Sequence, residues 1–250
     1  YSVPVAYGGL GIEDFRFNAI VNQEIAAVGA GAGVMSLAVQ NDVTTPCLVR
    51  HCNREQAARW LPGIASGKTV SAIAMTEPDA GSDLSGIRTT ARRDGSDYVL
   101  SGTKTFISQG INSDLVIVVC STDPGAGKHG LSLLVVERGM KGFERGKTLE
   151  KIGQHSADTA ELFFSDVRVP TANLLGEEGR AFEYLGANLA QERLSTAIYG
   201  HAVAKAALRW TIDYVKERKA FGRTIAEFQN TRFTLAELST EIELLEPALE

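Results

Sequence analysis

From residue 70 to about 166 the chain carries short β-rich runs divided by turn residues, with no helical stretch between them. Strands that succeed one another without crossover helices pair as hairpins. This texture therefore predicts an antiparallel sandwich or small barrel, and argues against the parallel Rossmann sheet of a nicotinamide enzyme. Asp94-Gly95 ahead of residues 98–100 is a hairpin signal. Segments 115–120 and 131–136 read as buried strands joined by the polar loop Asp123-Pro124-Gly125-Ala126-Gly127, and segment 160–164 supplies a further strand.

Both flanks of this β region read as helical. Good helix formers dominate residues 1–69, where Asn53 with Gln56 makes a capping-box start for a segment running to about Leu61, broken by Pro62-Gly63 and Gly67. Gly29-Ala30-Gly31-Ala32-Gly33 invites a nucleotide-loop reading. A dinucleotide fingerprint follows a strand, however, and a helix-like stretch precedes this one, so it reads as a small-residue break that lets helices pack closely. After Val169-Pro170 and Gly176 the helical pattern returns, with one long helix over about 178–219 and another from about 225 to the end. The chain is thus an α+β multidomain protein: helical N-terminal domain 1–69, antiparallel β-barrel or sandwich 70–177, helical-bundle C-terminal domain 178–250. Helices this long suit a bundle that also packs against other subunits.

A chain of 250 residues with 44% hydrophobic content can bury a real core. Its net charge of −5 and the absence of clustered Lys and Arg argue against a nucleic-acid partner. Cys47, Cys52 and Cys120 cannot all pair and show no C-x-x-C spacing, which fits a reducing compartment. His51, His155 and His201 are too scattered for a metal spacing, so no metal is predicted. No apolar run reaches the length of a membrane span, and no signal-peptide pattern opens the chain. The start at Tyr1 and the end inside a helix-like pattern suggest truncation at both ends, so a targeting segment could precede it. No G-x-S-x-G elbow favours a thioester hydrolase.

Two short stretches suit a polar, flat ligand. Residues 73–83, Ile-Ala-Met-Thr-Glu-Pro-Asp-Ala-Gly-Ser-Asp, begin as a strand, stop at a proline and empty into small hydrogen-bonding residues. Thr76 and Ser82 offer hydroxyls there, and Gly81 permits close backbone approach. The strand ending in Thr105-Phe106-Ile107-Ser108 sets an aromatic face beside another hydroxyl. By spacing alone each is equally readable as an ordinary turn. In Leu189-Ala190-Gln191-Glu192-Arg193-Leu194, helical spacing puts Glu192 in one row with Leu185, Leu189, Thr196, Tyr199 and Val203, a mainly apolar stripe. Burial there would raise the carboxyl pKa toward what a base for a weakly acidic C–H requires. On the pattern alone, the plainer reading is a Glu at the stripe's edge paired with Lys or Arg. Arg193 points about 100° away from Glu192 on an ideal helix, so it is not expected to share its direction.

The order M-T-E-P-x-A-G-S-D, F-I-S, Q-E-R-L and E-R-K-A-F-G-R-T-I-A-E-F-Q resembles the acyl-CoA dehydrogenase family, nearest its long-chain type, over nearly the whole chain from Gly8 to about Leu238. The resemblance implies FAD as cofactor, an acyl-CoA substrate, electron-transfer flavoprotein as acceptor, and a homotetramer built as a dimer of dimers, in bacterial cytoplasm or mitochondrial matrix. It implies α,β-dehydrogenation, with Glu192 removing the α-proton as hydride leaves to the flavin, because long-chain and isovaleryl-type members carry their base at this helix position. Matching flavin positions are Ile73, Ala74, Met75, Thr76, Gly81 and Ser82 on the first loop and Phe106, Ile107 and Ser108 on the second. Arg218, Phe221 and Gln229 match a segment that reaches a neighbouring subunit's flavin. Ser82, His129, Gly130, Ala190, Gln191 and Arg193 match substrate contacts, and Asp79, standing where Gly is common, is expected to face solvent. An acyl-CoA oxidase passing electrons to O₂, or a non-catalytic subunit of the same fold, is the alternative.

Overall fold

The computed structural model describes residues 1–249, the side chains of Ala32 and Val34 aside. Helices α1 (Arg16–Ala27), α2 (Gly31–Ala38), α3 (Thr45–His51) and α4 (Arg54–Ala65) form the N-terminal part, and a π-helical turn, Val39–Thr44, joins α2 to α3. Helix does not fill the whole of this region as expected. Before α1 the chain is irregular apart from a 3₁₀ turn at Val5–Tyr7, because Pro4 and a run of glycines interrupt it, and Gly9 lies directly against the Val3 carbonyl. The Gly29–Gly33 stretch does act as a break between helices: Gly29 takes φ 83°, and a Cβ on Gly31 would come within 3.0 Å of the Tyr199 hydroxyl.

The capping box at Asn53 forms as expected, with the Gln56 N–H and Asn53 side chain at 2.9 Å and the reciprocal bond also at 2.9 Å. The helix it opens does not stop at Pro62-Gly63. It continues to Ala65 because Trp60, Leu61 and Ile64 are buried on one face, and that packing outweighs the one hydrogen bond a proline forfeits. Gly67, at φ 71°, makes the stop.

The middle part is an eight-stranded sheet curled on itself. Its strands are β1 (Ser71–Ala74), β2 (Thr90–Asp94), β3 (Asp97–Ser108), β4 (Leu115–Ser121), β5 (Leu131–Glu137), β6 (Phe143–Thr148), β7 (Thr159–Pro170) and β8 (Leu174–Leu175), in the order β6-β7-β3-β2-β4-β5-β8 with β1 also on β4. Most pairs are antiparallel, as the hairpin signals predicted. The main exception is β1, which runs parallel to β4 with Ser71 opposite Leu115. It enters from α4, and the β2–β3 hairpin intervenes before β4 arrives. On the same strand β2 bridges in parallel at Thr90 and Ser121. Residues 75–89 therefore leave the sheet between two strands laid along β4.

Alternation along β4 and β5 splits the interior in two. Leu115, Ile117, Val119, Leu131, Leu133 and Val135 meet Leu48, Trp60 and Leu61 of the N-terminal helices. Val116, Val118, Leu134 and Val136 face Tyr98, Leu100, Leu162 and Phe164 inside the sandwich. A strand buried on both faces reads as a continuous apolar run, which is what segments 115–120 and 131–136 show.

Helix α5 (Ala181–Glu217) then runs unbroken for 37 residues. The β9–β10 hairpin (Lys219–Ala220, Arg223–Thr224) and a 3₁₀ turn at Ile225–Glu227 lead to α6 (Gln229–Leu249), which packs on α5 with Lys205 paired to Glu246 at 2.8 Å. The buried face of α5 is not the apolar stripe read from the sequence. Ala181, Asn188, Ser195, Ile198, Ala202 and Ala206 are buried, a row of mostly small residues that lets α1 and the π turn approach closely. Leu189, Thr196 and Val203 on the stripe are exposed. Among the described residues no helix is long and apolar enough to cross a membrane.

Candidate active site

The stripe opens onto a cavity of about 420 Å³ between α5 and the loop that leaves the sheet after β1. Met75, Thr76, Gly81, Ser82 and Leu84 form the loop side. Phe182, Leu185, Gly186, Leu189, Glu192 and Arg193 form the helix side. The floor is chiefly apolar, with hydroxyls at one rim and one carboxylate.

The loop is held by an enclosed ion pair. Lys104 on β3 donates to the Met75 carbonyl at 2.8 Å and to Glu77 at 2.9 Å, with both side chains shut off from solvent. Glu77 also accepts from the Arg88 and Thr89 N–H groups at 2.7 and 2.9 Å, closing the neck of the loop. Burial works against the Glu77 charge, but the hydrogen bonds from Thr89, Arg88 and Lys104 prevail and hold its carboxyl below the ordinary range. Burial also lowers Lys104, and Glu77 opposes it. The Thr105 N–H donates to the Thr76 carbonyl at 2.9 Å, which brings the second sequence motif beside the first.

At that junction Phe106 takes φ 58° in a break of the β3–β7 register, with 67% of its surface exposed. A large aromatic held out in a left-handed conformation is unusual and marks a constrained site. Ile107 beside it is buried, and Ser108 is half-buried. Asp79 faces solvent, as expected, and pairs with Arg88 at 3.0 Å.

Not every sequence candidate gathers here. Ala74 is fully enclosed in the sandwich core, backbone included, and Ile73 packs on the helical one, so Ala74 does not reach a ligand and the sequence expectation for it is corrected. Ala190 and Gln191 do not line the cavity, because successive helix positions turn by about 100°. Ala190 is exposed, and Gln191 donates to the Asp42 carbonyl at 3.1 Å. Arg193, in contrast, shares the cavity wall with Glu192 despite the same rotation, since its long side chain reaches round. His129 and Gly130 also lie outside the lining. Gly130 is pressed against the Asp123 carbonyl, and the exposed His129 sits in a turn packed on Gly179, just before α5. Arg218, Phe221 and Gln229 all follow the far end of α5, and Arg218 alone is 26 positions, about 39 Å of helical rise, beyond Glu192.

Glu192 is half-buried, and its hydrogen-bond partner is an amide rather than a cation: Asn188 donates to Oε1 at 3.1 Å. Burial raises its pKa above the ordinary carboxylate value, and the Asn188 bond draws it partly back. Such a group, on an apolar wall, holds its proton to a higher pH than an exposed carboxylate does. The sequence pointed to Glu192 but missed Asn188, although a position four residues earlier on a helix lies on the same face. Leu84, Phe182 and Gly186 were also missed, and no local pattern marks them.

The residues fit a flat, hydrogen-bonding cofactor. Phe106 presents an open aromatic ring, and the bond from the neighbouring Thr105 N–H to the Thr76 carbonyl ties its strand to the Thr76 loop. Among the described residues outside its chain neighbours, nothing lies within 4 Å of where a Gly81 Cβ would stand, so the backbone there is open to close approach by a ligand.

Family models of the acyl-CoA dehydrogenase N-terminal, middle and C-terminal domains match residues 1–68, 72–167 and 179–249. The chain is 47% identical over 238 residues to the mitochondrial long-chain specific acyl-CoA dehydrogenase of Sus scrofa, covering 94% of this chain and 55% of that one. It is 39% identical over 241 residues to an acyl-CoA dehydrogenase of Bacillus subtilis, covering 96% and 63%. A crystal structure of acyl-CoA dehydrogenase from Geobacillus kaustophilus superposes with a TM-score of 0.95 at 48% identity, covering 99% of this chain and 65% of that one. The chain thus spans between about half and two thirds of the length of these relatives.

Proposed function

The chain belongs to the acyl-CoA dehydrogenase family, and from that premise we propose that it catalyses α,β-dehydrogenation of an acyl-CoA thioester to the trans-2-enoyl-CoA, with Glu192 as the base. One observation carries this reading: a half-buried carboxylate with a raised pKa and no cation bonded to it stands on the wall of a cavity large enough for an acyl chain. Burial is what keeps the carboxylate basic. In water a Glu would be too weak a base for a proton α to a thioester, whereas on this wall the charged form is costly and gains by taking the proton.

Leu185, Leu189, Leu84 and Met75 exclude water from the acyl chain and hold it along α5. The Ser82 and Thr76 hydroxyls at the rim suit the polar thioester end. Met75, Thr76, Gly81, Ser82, Phe106 and Ser108 would hold FAD, and the enclosed Ala74 and Ile107 support them from behind. Bound there, the flavin would supply the acceptor for the β-hydrogen as hydride. Electron-transfer flavoprotein is the proposed onward acceptor. A homotetramer in which Arg218, Phe221 and Gln229 serve a neighbouring subunit's flavin accounts for their distance from Glu192 and for the 95% exposure of Phe221.

The test is Glu192→Gln in the full-length protein. It should keep flavin and bind acyl-CoA, while single-turnover bleaching of the flavin by substrate slows by about 10²–10⁴-fold, the share a general base contributes. Near-normal bleaching would remove Glu192 from the chemistry. Because the carboxyl pKa is raised, the wild-type rate should climb with pH through a midpoint above the ordinary Glu value, as the proton-free form fills.

A further inference from the structure

We propose that Asn188 is the positioning residue for Glu192, its amide locked in one orientation by Arg50 and by a carbonyl of the π turn, so that a neutral donor holds the carboxylate on the cavity wall. The inference rests on the reading of Glu192 as the base.

Asn188 stands one helical turn before Glu192 and is buried. Its Oδ1 accepts from the Arg50 guanidinium at 2.5 Å, while its Nδ2 donates to Glu192 Oε1 at 3.1 Å and to the Val43 carbonyl at 3.3 Å. A guanidinium has no acceptor and a carboxylate no donor, so only one orientation of the amide satisfies both neighbours. Turned the other way, its N–H groups would face Arg50 and its oxygen would face the Glu192 charge. Arg50 thus acts on Glu192 through Asn188.

The π turn supplies the third support. Its wider register leaves carbonyls open to α5, and Asn188 and Gln191 reach those of Val43 and Asp42. The Asp42 carboxylate, fully buried, accepts from Ser195 at 2.5 Å, Asn18 at 2.7 Å and Asn22 at 3.1 Å. Residues four before, one before and three after Glu192 are therefore all tied to this one turn.

The charged and titratable neighbours come from several elements. Arg193 follows on α5 and lines the same cavity. From α3 come Arg50, engaged by Asn188, and the Cys47 thiol, pushed up to about 12 by burial with the Glu192 charge adding to it. From the π turn comes Asp42, occupied by its three neutral donors. The loop side of the cavity contributes Met75, Thr76, Gly81, Ser82 and Leu84, none of them titratable near neutrality. A guanidinium bonded directly to Glu192 would stabilise the anion and blunt it as a base. An amide orients it with a smaller effect on its proton affinity.

The experiment uses full-length, flavin-loaded protein and two readouts: the pH midpoint of single-turnover flavin bleaching, and direct titration of the Glu192 carboxyl by ¹³C NMR, assigned by its loss in Glu192→Gln. Asn188→Leu keeps the volume and removes the donor, so both midpoints should rise by about one pH unit, a roughly tenfold smaller base fraction on the acid side. Arg50→Met should move them the same way by less, and should add nothing to Asn188→Leu in the double variant. Unmoved midpoints in Asn188→Leu overturn the proposal, as does an Arg50→Met shift that persists beside it, which would mean that the guanidinium acts by its charge alone. Should Asn188→Leu not fold, Arg50→Met at an exposed position decides, and an unmoved midpoint there is equally fatal. Normal bleaching in Glu192→Gln would sink the base assignment without touching the NMR result, so the two failures are separable.

Discussion

Phe106 holds its ring in the open at φ 58°, a conformation that costs on the order of 1–3 kcal/mol in an L residue. Little burial offsets that cost, so the strain should be released by Phe106→Gly. The flavin-free variant is expected to melt about 2–4 °C higher for each kcal/mol released, while its affinity for flavin falls. Calorimetry of stripped and reconstituted protein reads both, and a variant that is no more stable and holds flavin equally well would remove the ring from the site. The sequence showed the ring and the neighbouring hydroxyls but not this backbone, since nothing in Thr-Phe-Ile-Ser signals a left-handed residue in a strand. Glu192 was legible as a carboxylate out of place on an apolar stripe. The Arg50 to Asn188 contact was not, because its partners are 138 positions apart and only the packing of α3 on α5 brings them together.

Among the elements, the Lys104–Glu77 pair joins β3 to the loop after β1. Glu77→Gln would leave the Lys104 ammonium sealed in the sheet without its counter-charge, at a cost of about 3–5 kcal/mol, readable by chemical denaturation. Glu77 has a folded-state pKa below its unfolded value. Its contribution is therefore present at neutral pH and lost as pH falls through the folded value, so the variant should also show a flatter acid limb of Tm. An unchanged acid limb would show that the Glu77 charge adds nothing to stability at neutral pH. Strands β3, β4, β5 and β7 could be read from the chain because each is apolar on at least one long face. Strand β6, with Glu-Arg-Gly-Lys at its centre, escaped because it is an outer strand with little to bury, and β8 is too short to carry a pattern. The parallel placement of β1 and the passage of α4 through Pro62 were illegible for one reason: tertiary packing decides both, against the local signal.

At the scale of the whole molecule, α5 carries Glu192 toward one end and leads to Arg218 and Phe221 beyond the other. Under the proposed assembly, Phe221→Asp in the full-length protein should lower both the sedimenting mass and the flavin content, leaving the fold of each subunit intact. Unchanged mass and flavin content would detach that segment from the cofactor. The chain superposes on the Geobacillus kaustophilus enzyme with a TM-score of 0.95, so the scaffold that sets this spacing is shared. The segment between β1 and β2 is a different matter. Both its ends are clamped to β4 and its neck is tied by one carboxylate, so its tip can change in length around the retained Gly81, Ser82 and Leu84. Doubling the length of such a loop adds only about 0.6 kcal/mol of closure entropy. Grafted tips of other lengths could therefore retune what the mouth of the cavity admits while every strand keeps its register.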